Sequence, residues 1–132
     1  MSRDQFQDLL KDFDPNKLTA EVIELGETWA DSDAAASSLE ESRKTILAQL
    51  QLEYTLEGVS GRGSEKAKPM PVSQAEMRAL ADPVYEQHLD LMVQARRDAH
   101  KARVRYDMGK MRLELFRSLQ ATMRQEMHLA RN

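Results

Sequence analysis

The sequence predicts an all-α protein built on two long amphipathic helices able to pair antiparallel, and three observations predict it. Apolar residues recur at steps of three, four and seven over most of the 132 residues, the period that places them on one face of a helix. The 41% hydrophobic content is mostly Leu, Ala and Met, and aromatics make up only 5%, a composition of helix seams rather than of a β-sandwich. Most of the 5 Gly and 4 Pro lie between residues 58 and 83, which leaves long unbroken stretches on either side. The length is that of one domain. It is expected to divide into an acidic N-terminal part over 1–57, a flexible basic linker over 58–72 and a basic C-terminal helical region over 73–132.

The elements follow in order. Phe6, Leu9, Leu10 and Phe13 stand at i, i+3, i+4 and i+7, a short amphipathic helix over residues 4–13. Asp14-Pro15-Asn16 is expected to stop it, because the residue before proline is pushed out of the α region. A long helix is predicted over about 19–57, with Thr19 as N-cap and Glu21 and Glu24 near the positive end of the helix dipole. Its apolar stripe is Val22, Leu25, Trp29, Ala36, Leu39, Ile46 and Leu50. Gly26 and the weakly apolar Asp31–Ser38 stretch mark a soft middle, a place for a kink or fraying. The segment 58–72, GVSGRGSEKAKPMPV, cannot continue the helix through its two prolines. Ser73-Gln-Ala-Glu76 has the spacing of a capping box and predicts a short helix from Ser73. Asp82-Pro83 reads as an N-cap followed by proline at the first helical position, opening a second long helix over 83–130. A helix of that length exceeds the diameter of a compact domain of this size and needs a partner helix or further subunits.

That last helix has a heptad pattern. With Met92 at position a, the a and d positions place Met92, Ala95, Ala99, Ala102, Tyr106, Gly109, Leu113, Phe116, Met123 and Met127 on one seam, suited to packing against another helix or another copy of the chain. Its first half is small and admits close approach. Its second half is bulky. The e positions are sharper: Arg96, Arg103, Lys110, Arg117, Arg124 and Arg131 are all basic at seven-residue spacing. Seven residues are about two turns, so they form one nearly straight cationic stripe beside the seam.

Charge is divided along the chain. Residues 1–57 carry a net charge of −8, residues 58–132 a net of +5, and the whole a net of −3. Two readings of the stripe stand side by side. It is a rail of interhelical salt bridges to the acidic first helix, or a track for the phosphates of a nucleic acid contacted without base readout. Arg62, Lys66 and Lys68 in the linker extend the second reading.

Sites of chemistry are not indicated. Cysteine is absent, which excludes thiolate catalysis and Cys-ligated metal. His88, His100 and His128 lack metal-ligand spacing, and no phosphate-cradling, nucleophile-elbow or zinc-protease motif occurs. No enzyme activity, metal or cofactor is expected. Trp29, Tyr54, Tyr85 and Tyr106 read as packing anchors. No apolar run reaches membrane-spanning length, and the opening MSRDQFQDLLKDFD is too polar for a signal peptide, so the chain is expected in the cytoplasm.

The layout resembles that of the phage recombination mediators of the UvsY type. The residues carrying the resemblance are the N-terminal Phe6-Gln-Asp-Leu-Leu-Lys-Asp-Phe13 followed by Lys17-Leu18, and Trp29 early in the next helix. With them go the Leu/Tyr-rich helix end running into Ser60-Gly61-Arg62-Gly63, and the passage through Leu80-Ala81-Asp82 into a long last helix. The resemblance implies a small helical homo-oligomer that binds single-stranded DNA without sequence preference and helps load a recombinase onto strands covered by single-strand-binding protein. It would act in the host cytoplasm. Family members carry basic residues before the Ser-Gly-Arg-Gly turn, where this chain has Glu53-Tyr54-Thr55-Leu56-Glu57. DNA contact is therefore expected from Arg62, Lys66, Lys68, Arg96, Arg103, Lys110, Arg117 and Arg124. The alternative expectation is a coiled-coil scaffold, adaptor or inhibitor with no nucleic-acid binding.

Overall fold

A computed structural model describes residues 4, 5, 8, 14–58 and 68–131. The elements are α1 (Pro15–Glu57), α2 (Val72–Leu80) and α3 (Pro83–Arg131), with no strand ladder among the described residues. The fold is all-α, and α1 and α3 pack against each other. The short helix expected over 4–13 and most of the linker lie outside the described residues, although residues 4, 5 and 8 are helical.

The helix ends show what each junction does. Asp14 is non-helical, and Asp14-Pro15 also starts α1. The Asp14 Oδ1 accepts from the backbone N–H of Asn16 at 3.0 Å and of Lys17 at 3.3 Å. Proline's fixed φ suits the first helical position, and its missing N–H is one that would have no partner there. The helix therefore begins four residues before Thr19, whose hydroxyl donates instead to the Pro15 carbonyl at 2.7 Å. Asp82-Pro83 repeats the device as predicted, with Asp82 Oδ1 accepting from Val84 N–H at 2.8 Å. The expected capping box does not form. α2 starts one residue before Ser73, and its N-cap residue, Pro71, makes no side-chain cap; the Pro71 carbonyl accepts from Gln74 and Ala75 N–H, each at 3.0 Å. Gly58, at φ 72°, closes α1 in the left-handed region with its N–H donating to Tyr54 carbonyl, the conformation a glycine adopts without a Cβ clash.

The residues divide into two compact units. One pairs the start of α1, up to Asp31, with α3 from Ala99 onward; the other holds Ser32–Asp98. In the Ser32–Asp98 unit, Leu50, Ala79 and Tyr85 form a buried cluster, with Ile46, Leu47, Tyr54 and Leu89 packed on it. Burying a side chain of the size of Leu50 contributes about 1.5–3 kcal/mol. α2 closes this cluster with Ala75 and Ala79, both essentially inaccessible. His88 is buried, and its Nε2 donates to the Leu39 carbonyl at 2.8 Å, so its polar edge is satisfied. The middle of α1 is not soft. The helix is unbroken through Asp31–Ser38, Ala36 is fully buried, and Asp33 and Ser37 of that stretch are held by contacts described below.

The other unit is a pair of antiparallel helical segments. Its closest approach is at two glycines. A Cβ on Gly109 would stand 2.9 Å from Leu25 Cδ1, and one on Gly26 would stand 3.1 Å from the Tyr106 ring. Ala99, Ala102, Leu113 and Leu18 are buried in this unit.

Asp82 performs two tasks, capping α3 and accepting from the Tyr54 hydroxyl. Asp82→Ala removes both and is expected to cost about 1–3 kcal/mol. Asp82→Asn keeps an acceptor at the cap and costs less. Urea unfolding followed by circular dichroism checks the ranking.

Candidate nucleic-acid interface

The cationic stripe of α3 does different things along its length. Arg96 belongs to the Ser32–Asp98 unit, and there it is a salt-bridge residue. Asp33, Ser37 and Glu40 stand at i, i+4 and i+7 on α1 and present one polar face. Arg96 Nη1 donates to Asp33 Oδ1 at 2.6 Å, while Nε and Nη2 grip both Glu40 oxygens at 2.8 and 3.0 Å. Nη2 also reaches Ser37 Oγ at 3.4 Å. A bidentate fork of this kind is the strong form of the pair. The hydrogen bond from Arg96 holds the Glu40 carboxyl below its ordinary range, and the two carboxylates hold the Arg96 guanidinium above its own. With both acceptors engaged, Arg96 is committed to α1, and the sequence expectation of a phosphate contact there is set aside.

The remaining stripe lies in the other unit. Trp29 of α1 stacks on Tyr106 of α3, with ring centroids 5.6 Å apart and planes inclined by 25°. The contact is possible because Gly26 has no side chain to hold the Tyr106 ring away. Arg103 stands over the Trp29 ring at 5.7 Å, and Lys110 over the Tyr106 ring at 4.6 Å. The cations follow from helical spacing, since Arg103 and Lys110 are three residues before and four after Tyr106 and share its face. The aromatic pair is half-buried rather than enclosed. It lines an open groove of about 390 Å³ with Val22, Ile23, Gly26, Glu27 and Ala30. Both cations reach Asp107 on their own helix, at 3.9 and 3.6 Å. These pairs are long and exposed, and such pairs hold a side chain weakly.

Two turns at a time, the stripe then continues through Arg117, Arg124 and Arg131, all exposed and without an ion pair among the described residues. Arg124 and Arg131 flank a shallow surface pocket of about 250 Å³ with Met127 and His128. Lys68 is exposed, and Arg62 and Lys66 lie outside the described residues. On the seam, Ala99, Ala102 and Leu113 are buried; Met92, Ala95, Tyr106, Gly109, Phe116 and Met123 are half-buried; and Met127 is 44% exposed.

The sequence had placed Trp29 and Tyr106 as separate packing anchors and had not joined them to the stripe. The spacing of Arg103 and Lys110 about Tyr106 was a visible signal. The partnership with Trp29 was not, because it depends on the register between α1 and α3. The arrangement is a half-buried aromatic pair with a cation over each ring, followed by regularly spaced guanidinium groups. Phosphates pair with such groups, and aromatic residues beside them are the side chains on which single-strand bases stack. Among the described residues no group of three or more His, Asp or Glu side chains is placed to hold a metal ion, and no helix is long and apolar enough to cross a membrane.

Because Glu40 titrates below its unfolded value, the Arg96 clamp contributes stability that is present above the ordinary carboxylate pKa of 4.5 and is lost as pH falls through the depressed folded value. Arg96→Met is expected to flatten the acid limb of the stability–pH curve. Urea midpoints at a series of pH values between about 3 and 6 read this.

Compared with protein-family models, curated proteins and solved structures, the chain matches none.

Proposed function

We propose that this chain binds single-stranded DNA without reading its sequence and serves, without enzymatic activity of its own, as a recombination mediator. The observation that supports the DNA reading is the Trp29–Tyr106 stack bordered by Arg103 and Lys110, with Arg117, Arg124 and Arg131 continuing at the same heptad position. Bases of any identity present a π-face, and phosphates of any sequence present the same charge, so this combination favours strand binding without base preference. The mediator role rests on the resemblance in layout. It places a recombinase and a single-strand-binding protein as the partners and the host cytoplasm as the setting.

A second reading is supported by Arg96, whose pairing with Asp33 and Glu40 is the salt-bridge rail expected of a coiled-coil scaffold or adaptor. In that reading the rest of the stripe faces an acidic protein.

Fluorescence anisotropy of a labelled oligonucleotide separates the two. Affinity is expected to fall with salt at a log–log slope of about −0.7 per phosphate contacted. Reversing Arg117, Arg124 and Arg131 to Glu is expected to reduce that slope by about 2. Trp29→Leu is expected to weaken binding roughly five- to a hundredfold, with Trp29→Phe retaining most of it and circular dichroism unchanged in both. Quenching of the lone tryptophan on binding is the direct optical sign of stacking. No binding at low salt would sink the DNA reading and leave the scaffold reading.

A further inference from the structure

Arg105 and Arg112 repeat the seven-residue spacing on the other side of the seam. With Met92 at position a they fall at g, whereas the cationic stripe is at e, and e and g flank a helix seam on opposite edges. Both are exposed, and neither has an ion pair among the described residues. Arg112 stands over the Phe116 ring at 5.9 Å.

Beside them a groove of about 410 Å³ opens between the start of α1 and α3, within one compact unit. Its apolar walls are Leu18, Val22 and Leu25 of α1 and Met108 and Gly109 of α3. Leu25 Cδ1 and Val22 Cγ2 lie 2.9 and 3.5 Å from where a Cβ on Gly109 would stand, so aliphatic carbon closes the floor. Met108 is 64% exposed, and its unbranched thioether can adjust to what enters. Glu21 completes the lining from the side of α1.

This combination selects an occupant. A mostly apolar cleft of roughly 300–1,000 Å³ with a few charged groups is the usual form of a small-molecule site, and the space between packed helices is one place it occurs. Two guanidinium groups about 10 Å apart along α3 outnumber the carboxylate of Glu21, so the rim favours an anion, and the planar fork of arginine matches a carboxylate. A neutral apolar molecule would leave the rim unused, and inorganic phosphate would leave the walls unused.

We propose that this groove binds a small amphipathic anion, a medium-chain alkyl carboxylate, with its chain along Val22, Leu25 and Met108 and its head at the arginine rim. The site lies across the seam from the e-position stripe and does not depend on nucleic-acid binding.

Decanoate, below its micellar concentration, is titrated into the full chain carrying methyl-labelled methionine, with the Met108 signal assigned by Met108→Leu. The Met108 signal is expected to move saturably, with one site per chain, while that of Met127 stays. Calorimetry reads the variants. Shortening the ligand to octanoate is expected to weaken binding by up to about fifteenfold. Arg105→Gln and Arg112→Gln are each expected to weaken it about two- to fivefold, and Glu21→Gln to tighten it by a similar factor. Met108→Glu is expected to abolish binding with circular dichroism unchanged. An unmoved Met108 signal, indifference to both arginine substitutions, or octanol binding as tightly as octanoate would each overturn the proposal. So would displacement of decanoate by an oligonucleotide, which would make the groove part of a strand track, or loss of binding as protein concentration rises, which would make a second copy the occupant.

Discussion

The close approach of α1 and α3 is the contact on which the other features depend. In the unit formed by the start of α1 and the end of α3, the approach is set by Gly26 and Gly109, where a Cβ would fall within 3.1 Å of Tyr106 or Leu25. A helix surface that lacks a side chain at such a point lets a side chain of the neighbouring helix fill the space and adds dispersion contacts. In the Ser32–Asp98 unit the small residue of α1 is an alanine, Ala36, which is fully buried. Glycine inside a helix costs about 0.5–1 kcal/mol relative to alanine. At Gly26 that cost is offset by what the gap permits, the stacking of Trp29 on Tyr106.

The same approach decides which charges are consumed. A stripe of six cations at one heptad position looks uniform, yet its members meet different neighbours. Arg96 finds Asp33 and Glu40 one helix away and is fixed between them. Arg103 and Lys110 find aromatic rings instead and keep much of their charge toward solvent. Arg117, Arg124 and Arg131 find no ion-pair partner among the described residues. The acidic first helix therefore neutralises the stripe locally rather than along its length. A cation beside an aromatic face and one locked in a carboxylate fork have opposite prospects for meeting a phosphate, and that difference sorts the stripe into structural and exposed parts.

Several elements were legible before any coordinates. The stripe Val22, Leu25, Trp29, Ala36, Leu39, Ile46 and Leu50 marks the side of α1 that turns from solvent, because a 3.6-residue period leaves a single face to bury. Asp82-Pro83 opened a helix where its chemistry said one should open. The same reasoning applied to Asp14-Pro15 would have started α1 correctly. The proline's missing N–H is harmless in a first turn, so the helix opens at Pro15 rather than at Thr19. Ser73-Gln-Ala-Glu76 misled because cap spacing is a local pattern, while the end of α2 is set by Pro71 and by the burial of Ala75 and Ala79. The Asp31–Ser38 stretch looked weak because its residues are small and polar, and it holds because Ala36 is buried and Asp33 and Glu40 are tied to Arg96.

By itself, the sequence determined that the chain is helical, where α3 begins, which face of each long helix is apolar, and that cations repeat along one edge of α3. These are properties of spacing within one helix, and covalent connectivity fixes spacing. Only the tertiary structure decided that Trp29 meets Tyr106, that Arg96 meets Asp33 and Glu40, and that Leu18, Val22, Leu25 and Met108 line one groove. Each of these depends on the register between two helices, which spacing within one helix does not carry. A shift of one turn would have kept every periodicity and exchanged every partner.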